Sequence, residues 1–199
     1  MKKFFTLVLS AALMMVALNA SAQFRVEGGY LNANVKQTRD AVIFDVVGHG
    51  FYGGVGADLW LPVHGLSMDL GVFWDYETYK DFIAGLGIDA ELHHVRIPLR
   101  FKYTYHFSDD FKVYAMAGPG VTYAVIGKAR YKKGDKYVRE DLFDDDDRRF
   151  DIQLGGEAGI RIFEHFSIKA GYDWGILNRG DDDAPVRRNL LHAGVALEF

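Results

Sequence analysis

The sequence contains no cysteine and only four prolines among its 199 residues. The absence of cysteine excludes disulfide bonds, thiol catalysis, a cysteine lipoprotein anchor and cysteine metal sites, so hydrogen bonding and packing must hold the fold together. Beyond residue 22, charged or polar residues recur every second or third position. No apolar run there approaches the roughly 18 residues that a membrane-spanning helix needs, which excludes a helical membrane protein.

The N-terminus has the composition of an export signal. Two lysines precede an apolar stretch at residues 7–18, and small residues follow at 20–22. This order predicts a signal peptide over residues 1–22 with cleavage before Gln23, leaving one domain over residues 23–199. Removal of the two lysines leaves 21 basic and 27 acidic residues, a net charge of −6. This charge argues against a nucleic-acid-binding surface.

Apolar and polar residues alternate with a period of two over stretches of about ten residues, which is the pattern of a β-strand with one apolar face. The clearest case is residues 66–76, where leucine, methionine, valine and aromatic positions interleave with polar residues and glycine. Four further segments show the same alternation, at residues 95–105, 151–162, 167–176 and 188–199. Weaker strands are predicted at residues 24–35, 51–60 and 111–125.

Two features interrupt this pattern. In the first strand the apolar phase slips around Gly28 and Gly29, which predicts a β-bulge at that point. Pro98 and Pro119 lie within predicted strands and remove one ladder hydrogen bond each, for which the pattern alone offers no reason.

The segments between the predicted strands alternate between short and long. Short turns are predicted at residues 62–65, 106–110 and 163–165, and longer polar loops at residues 37–48, 78–91, 127–149 and 178–187. An up-and-down barrel in an outer membrane has this asymmetry, with short periplasmic turns, long external loops and both termini on the periplasmic side. The predicted fold class is therefore all-β, an eight-stranded antiparallel up-and-down transmembrane β-barrel.

The alternation by itself also suits a soluble lipocalin-like barrel with an apolar lumen. Three observations favour the membrane barrel: loop lengths alternate, the chain stops on an aromatic residue after an alternating strand, and aromatic residues lie towards strand ends. The predicted aromatic girdle consists of Trp60, Trp74, Tyr76, Tyr103, Tyr105, Tyr123 and Phe199.

Several segments carry a likeness to a known family. They are RIPLRFKYTYHF at residues 96–107, YAMAGPGVTYAV at 114–125, FDIQLGGEAGIRI at 150–162 and GYDWGILN at 171–178, with the terminal ALEF. Together they resemble the small outer-membrane β-barrel domain of the porin family, over nearly the whole mature chain. These motifs mark strands and turns, so they are specific for fold and weak for function. The resemblance implies that Phe199 supplies the signal read by the barrel-assembly machinery.

Eight strands enclose an interior just wide enough for side chains to fill. Charges of both signs are phased inward, and they should pair across the lumen because an isolated buried charge is very costly. The predicted lumen ionic network contains Glu27, Asp58, Asp69, Asp75, Arg96, Arg100, Lys102, Asp151, Glu157, Arg161, Lys169, Asp173, Arg188 and Glu198, with Arg25 in the same phase. A plugged lumen predicts a closed barrel, and a narrow channel for small solutes or ions is the alternative.

An enzyme is the less favoured interpretation. Some outer-membrane barrels are acyltransferases or phospholipases, whose chemistry resembles a serine, histidine and acid arrangement near the outer rim. The mature chain has only Ser67, Ser108 and Ser167, all at or near predicted periplasmic turns. His93 and His94 are adjacent on a strand, so their side chains point to opposite faces and cannot chelate one ion together. We therefore expect neither enzymatic activity nor a cofactor.

The external loops contain acidic runs followed by arginines, which usually form solvated loop tips. A sharper hypothesis is that carboxylates of the longest loop bind a divalent cation, although their spacing lacks the glycine of a calcium-binding loop. The weak metal candidates are Asp144, Asp145, Asp146 and Asp147. In the same hypothesis Arg130, Lys132 or Arg148 contacts lipopolysaccharide phosphates. The predicted role is structural or interactive, through loops that contact outer-membrane lipid, lipopolysaccharide, extracellular proteins or glycans.

Overall fold

The computed structural model describes residues 22–39, 42–83, 88–133, 136–142, 149–163, 165–178 and 186–199. The predicted signal peptide lies outside these residues, apart from its last residue, Ala22. The described strands are β1 (Ala22–Arg39), β2 (Val42–Trp60), β3 (Leu66–Ile83), β4 (Ile88–His106), β5 (Phe111–Lys133), β6 (Lys136–Asp141), β7 (Phe150–Ile162), β8 (Phe166–Gly175) and β9 (Val186–Glu198). No helix within the described ranges is long and apolar enough to cross a membrane.

Eight of these strands close into an antiparallel barrel, which confirms the predicted fold class. Each strand pairs with its neighbours in chain order, β1 also pairs with β9, and β4 with β5. The ninth strand, β6, forms a short hairpin arm on the outer end of β5 and lies outside the closed ring. Closure leaves the ring with no sheet edge, which a membrane requires because lipid cannot satisfy backbone hydrogen bonds.

The strand register sets the dimensions of the barrel. Following paired residues around the ring from Asn32 of β1 leads back to β1 at Ala22, a shift of ten residues. With a rise of about 3.3 Å per residue and strands about 4.8 Å apart, this shift tilts the strands by roughly 40° and gives a backbone radius of about 8 Å. A lumen of this radius holds side chains and little else.

The predicted long loops are shorter than the sequence pattern indicates. The β1–β2 strand pairing continues to Arg39 and Val42, and the β3–β4 pairing continues to Ile83 and Ile88. Most of the polar residues at 37–48 and 78–91 therefore lie in strands that extend the barrel beyond the membrane. The short turns at 61–65 and 107–110 lie at the opposite end, as do Phe163 and His165. The loop prediction was wrong for these two segments. Their polar residues belong to strands that extend into water, where a strand carries polar residues on its outer face.

The predicted bulge at Gly28 and Gly29 is also wrong. The register of β1 runs without a shift against both β2 and β9. Val26 points outward and is 54% exposed, whereas Leu31 and Val35 are buried inside. The apolar phase changes because the lower part of β1 faces lipid, where apolar residues point outward, and the upper part faces water, where they point inward.

The observed irregularities lie elsewhere. The β4–β5 register shifts between His93 and His94, which places an extra residue in β5, and the β3–β4 register shifts near the outer end of the hairpin. Near Pro98 the β3–β4 pairing is interrupted, and near Pro119 the β4–β5 pairing is interrupted. Each proline thus weakens one of the two sides of β4, because it has no N–H for the ladder.

Candidate functional site

The candidate site is the lumen, where the strand alternation directs a large set of ionisable side chains. Seven bases and nine acids of the described residues lie inside, and none is more than 6% exposed. The bases are Arg25, Arg96, Arg100, Lys102, Arg161, Lys169 and Arg188, and the acids are Glu27, Asp58, Asp69, Asp75, Glu77, Asp151, Glu157, Asp173 and Glu198.

At the periplasmic end, Arg25 is the centre of an ion-pair cluster. Its guanidinium Nε lies 2.7 Å from Glu27, and its Nη2 donates to Asp69 at 3.0 Å. Lys102 Nζ donates to Asp58 at 2.6 Å, and Asp58 also lies 3.4 Å from Arg25. One arginine thereby joins carboxylates from three neighbouring strands.

The same end is crossed from wall to wall. Arg161 on β7 pairs with Glu198 on β9, and its Nη2 also lies 3.7 Å from Asp58 on β2. Three strands separate β7 from β2 in either direction around the ring, so this contact joins opposite walls. Arg161 Nη1 also donates to Gln23 at 3.0 Å, beside the start of β1.

In the middle of the membrane-spanning part, Arg100 joins two acids. It donates to Glu157 at 3.0 Å and to Asp173 at 2.6 Å. Lys169 pairs with Glu157 at 3.1 Å and also with Glu27, which connects this layer to the periplasmic cluster. Each acid in this layer therefore has more than one cationic partner.

The upper layer is built on Arg96 and Arg188. Arg96 makes a bidentate contact with Asp75, with donor–acceptor distances of 2.9 and 3.1 Å, and Arg188 reaches across from β9 to pair with Glu77 on β3. Bidentate arginine–carboxylate contacts fix geometry as well as charge. Arg96 also lies 3.8 Å from Asp173. Ion pairs therefore connect the lumen continuously from its periplasmic end to this layer.

Aromatic rings fill the spaces between the charges. The Arg96 guanidinium lies 5.4 Å from the ring centroid of Tyr52 and 5.1 Å from that of Phe73. Lys102 Nζ lies 4.3 Å from the ring of Tyr114. These distances are those of cation–π contacts, which add attraction where water is excluded.

Three luminal residues were not included in the predicted network. They are Glu77, His192 and His94, of which only His94 was considered in the sequence analysis, for metal binding. His94 Nδ1 lies 3.4 Å from Glu77, and His192 Nε2 lies 3.3 Å from Asp173. The period-two alternation was the signal that could have included all three residues, since it places each of them inside.

The neighbouring histidine, His93, points the other way. Trp74 Nε1 donates to His93 Nδ1 at 3.2 Å on the outer surface, and His94 is fully buried in the lumen. The two rings therefore lie on opposite sides of the sheet. Within the described residues no group of three or more histidine, cysteine or acidic residues is arranged to hold a metal ion.

The outer surface carries aromatic residues at two heights. Tyr103, Tyr105 and Phe199 lie at the periplasmic end, and Trp74, Tyr76 and Tyr123 lie towards the other end. Trp60 was predicted for the girdle, but it is the register partner of the buried Ser67 and shares the inward phase of Asp58, so it lies at the periplasmic mouth of the lumen and is 40% exposed. Tyr103 pairs with Leu66, which precedes Tyr76 by ten residues on β3. Ten residues span about 33 Å along the strand and roughly 25 Å along the axis at the tilt given above, which matches the ~25 Å apolar band of outer-membrane barrels.

Above the ionic layers the lumen becomes apolar. The buried apolar cluster extends past Glu77 and Arg188 through Val35, Val46, Tyr79 and Leu92, whereas its members Leu31, Phe73 and Leu190 lie at the height of the upper ionic layer. In these upper strand segments the apolar side chains point inward and the charged side chains point outward, which is the reverse of the lower halves of the strands. This apolar cap is the core of the part of the barrel that extends beyond the membrane.

The described serines all lie at the periplasmic end of the barrel. Ser167 donates to Glu198 at 2.5 Å, and Ser108 Oγ accepts the backbone N–H of Phe111 at 3.1 Å. Ser67 is buried and its Oγ has no hydrogen-bond partner within the described part of the chain. Each serine thus lies far from the outer rim.

Most of the residues predicted to bind a metal ion or lipopolysaccharide lie outside the residues that the structure describes. Asp144, Asp145, Asp146, Asp147 and Arg148 lie outside the described residues, as does the side chain of Lys132. Arg130 is described on β5, where its Nη2 lies 3.7 Å from Asp89. On the same hairpin the Tyr131 hydroxyl donates to Glu140 at 2.6 Å, and this hydrogen bond raises the pKa of Tyr131.

Comparison with solved structures finds barrels of similar length. Ail of Yersinia pestis, in complex with the heparin analogue sucrose octasulfate, is 16% identical and covers 90% of this chain and 99% of its own, with a TM-score of 0.46. OprG of Pseudomonas aeruginosa is 14% identical, with 90% and 96% covered and a TM-score of 0.48. Neisserial surface protein A is 19% identical, with 88% and 97% covered and a TM-score of 0.44. No curated protein matches the chain.

The family comparison covers almost the whole chain. The family model described as "Outer membrane protein beta-barrel domain" matches residues 4–199. This match agrees with the closed eight-stranded ring, its charged lumen and its apolar outer band. The chain therefore belongs to the outer membrane protein β-barrel domain family and is a protein of the bacterial outer membrane.

Proposed function

We propose that this protein is a closed, non-conducting and non-enzymatic barrel that anchors a rigid extracellular β-extension for contacts at the cell surface. The observation that carries the proposal is the continuous series of ion pairs through the membrane-spanning lumen, with the apolar cap above it. A conducting pore needs a continuous column of water, whereas these side chains occupy a lumen of only about 8 Å backbone radius.

The energetics favour a closed lumen. Sixteen acids and bases are buried in the lumen. The folded barrel is stable only if they pair, because each unpaired buried charge destabilises it by an amount on the order of several kcal/mol. Opening a water path would require contacts such as Arg161–Asp58 and Arg188–Glu77 to separate together. Ion pairs across the barrel therefore hold opposite strands together and keep the lumen closed.

The extracellular extension provides the interacting surface in this proposal. The hairpins of β1–β2, β3–β4 and β5–β6 continue as paired strands above the upper aromatic residues. Their inner face is apolar and buried, and their outer face is charged. A surface of this kind holds its polar groups in fixed positions, so a ligand pays little ordering cost when it binds. Extracellular proteins, glycans and lipopolysaccharide are the proposed partners, and Phe199 is the proposed contact for the barrel-assembly machinery.

Planar bilayer recording tests the closed barrel. We expect the wild-type protein, folded in detergent and inserted into the bilayer, to give no steady conductance steps in about 1 M KCl, where the Debye length is only about 3 Å. A double variant, Arg96→Ala with Arg100→Ala, removes two long luminal side chains and is expected to give measurable steps. The outward substitution Leu99→Ala, on the same strand, is the matched control.

The narrow channel is the alternative function. It is favoured if the wild type conducts in steady steps that scale with salt concentration and the Arg96/Arg100 variant changes their size. The surface role has its own test: a variant with residues 128–141 replaced by a short glycine-rich turn should still show the heat-dependent gel mobility of a folded barrel. Retention of all binding to intact host cells and to immobilised glycans in that variant would remove the hairpin from the proposed role.

A further inference from the structure

Two cations lie side by side on the outer face of β1 and β9, above the upper aromatic residues. Lys36 is the register partner of Arg187, and both side chains are exposed. Like charges placed directly opposite each other on a sheet are destabilising. On its other side Lys36 has Asp45 of β2 as register partner, yet neither cation forms an ion pair within the described part of the protein. An anion placed between the two cations would relieve their repulsion.

Two amides lie directly below this pair. Asn34 is the register partner of Asn189, on the outer face of the same strands. Asn189 Oδ1 accepts the backbone N–H of Gly175 at 3.2 Å, which leaves its amide nitrogen available as a donor. Asn34 is half-buried, and among the described residues its Oδ1 is buried without a hydrogen-bond partner. The four residues Asn34, Lys36, Arg187 and Asn189 are called the rim site below.

The rim site is continuous with the lipid-facing surface. Below the amides, Tyr30 is 51% exposed and Leu191 is 50% exposed on the outer face. Arg187 precedes Leu191 by four residues, which is about 13 Å along the strand and roughly 10 Å along the barrel axis. Long basic side chains can extend back towards the interface from that height. From bottom to top, the surface thus offers apolar, amide and cationic groups to a single amphipathic molecule.

We propose that the rim site binds the phosphorylated sugar headgroup of lipopolysaccharide. The phosphate lies between the Lys36 ammonium and the Arg187 guanidinium. The ammonium attracts the phosphate as a compact charge, and the planar guanidinium can donate two parallel hydrogen bonds to it. The amide nitrogens of Asn34 and Asn189 donate to sugar hydroxyls, and the acyl chains pack along Tyr30 and Leu191. This site is distinct from the loop residues discussed above, and it depends only on the outer-membrane location.

The occupant is argued from charge and from the mixture of groups. A phosphate monoester carries up to about two negative charges at neutral pH and three acceptor oxygens, which matches two cations better than a phosphodiester with one charge does. A glycerophospholipid has few hydroxyl groups at that depth, so it would leave the two asparagine amides without hydrogen-bond partners. A phosphorylated sugar uses both halves of the site.

Native mass spectrometry of the detergent-folded protein, titrated with bisphosphorylated lipid A, tests the proposal. We expect Lys36→Gln with Arg187→Gln to weaken binding by about tenfold or more, since two charge-assisted contacts are lost. Lys80→Gln with Lys128→Gln removes the same charge from exposed positions elsewhere on the rim and should leave affinity within about twofold of the wild type. Heat-dependent gel mobility verifies that both variants fold.

Three further measurements decide between the possible sources of binding. Dephosphorylated lipid A should bind the wild type about as weakly as bisphosphorylated lipid A binds the Lys36/Arg187 variant, and phosphatidylglycerol and inorganic phosphate should not compete at equal concentration. Binding should persist in EDTA. Equal weakening in the two double variants, equal affinity for dephosphorylated lipid A, or loss of binding in EDTA through a metal bridge to Asp45 would each overturn the rim site.

Discussion

Replacing Arg100 with methionine removes the cation at the centre of the lumen and leaves its two acids in place. Methionine keeps much of the side-chain length but cannot donate to Glu157 or Asp173, which Arg100 contacts at 3.0 and 2.6 Å. Removing one partner of a buried ion pair usually costs about 3–5 kcal/mol. Glu157 keeps Lys169, and Asp173 keeps Arg96, so we expect the lower value, about 3 kcal/mol.

A double-mutant cycle separates the ion pair from the loss of side-chain volume. Asp173→Asn alone leaves Arg100 with Glu157 and should cost less than Arg100→Met. The combined variant should be less destabilised than the sum of the two single variants by about 1–3 kcal/mol, because the two residues are in direct contact. This coupling is the signature of a dry, paired lumen.

Guanidinium unfolding in lipid vesicles, under conditions where unfolding and refolding curves coincide, measures these free energies. Trp74 and Trp174 face outward and are partly exposed, so their fluorescence reports the loss of lipid contact, whereas Trp60 lies at the periplasmic mouth of the lumen. Arg139→Met on the exposed face of β6 is the matched control and should stay within about 0.5 kcal/mol of the wild type. If Arg100→Met behaved like this control, the luminal charges would be hydrated and the argument for a closed lumen would be refuted.

Three more outcomes follow from burial and close packing. Leu190→Ala, at a fully buried position of the lumen, should cost about 2–4 kcal/mol in vesicle unfolding, whereas the exposed neighbour Leu191→Ala should cost under about half of that, and equal losses would contradict a packed lumen. Gly50→Ala would place a Cβ 1.7 Å from a backbone oxygen and should abolish or strongly slow folding on gels, whereas Gly53→Ala, with 3.8 Å of space, should fold normally. Leu99→Arg on the lipid face should cost about 2–4 kcal/mol near the membrane midplane, and a neutral result would place that face in water.

Which side chains point into the lumen could be predicted from the alternation of side chains along a strand. Successive side chains of a strand point to opposite sides, so the inward position of Asp69, Arg100 or Lys169 follows from the residue two positions away. The same rule places Glu77 and His192 inside, although the sequence analysis gave them no role. Closure into eight strands was predictable because the chain has eight alternating segments and a membrane tolerates no open edge.

Pattern reasoning failed where the solvent changes along a strand. The phase change at Gly28 and Gly29 was attributed to a bulge, because a period-two pattern contains no information about whether lipid or water lies outside. The polar hairpin residues were assigned to loops for the same reason. In both cases the strand continues in register, and only the surrounding medium differs.

The amino-acid sequence by itself determined the alternating strands, the sign of the luminal charges and the absence of cysteine chemistry, since these depend on residue identity and on neighbours one or two positions away. Only the tertiary structure decided which charges meet. Arg161 and Asp58 come together because a ten-residue register shift tilts the strands and brings β7 opposite β2. That shift is a property of the closed ring as a whole, so no local segment specifies it.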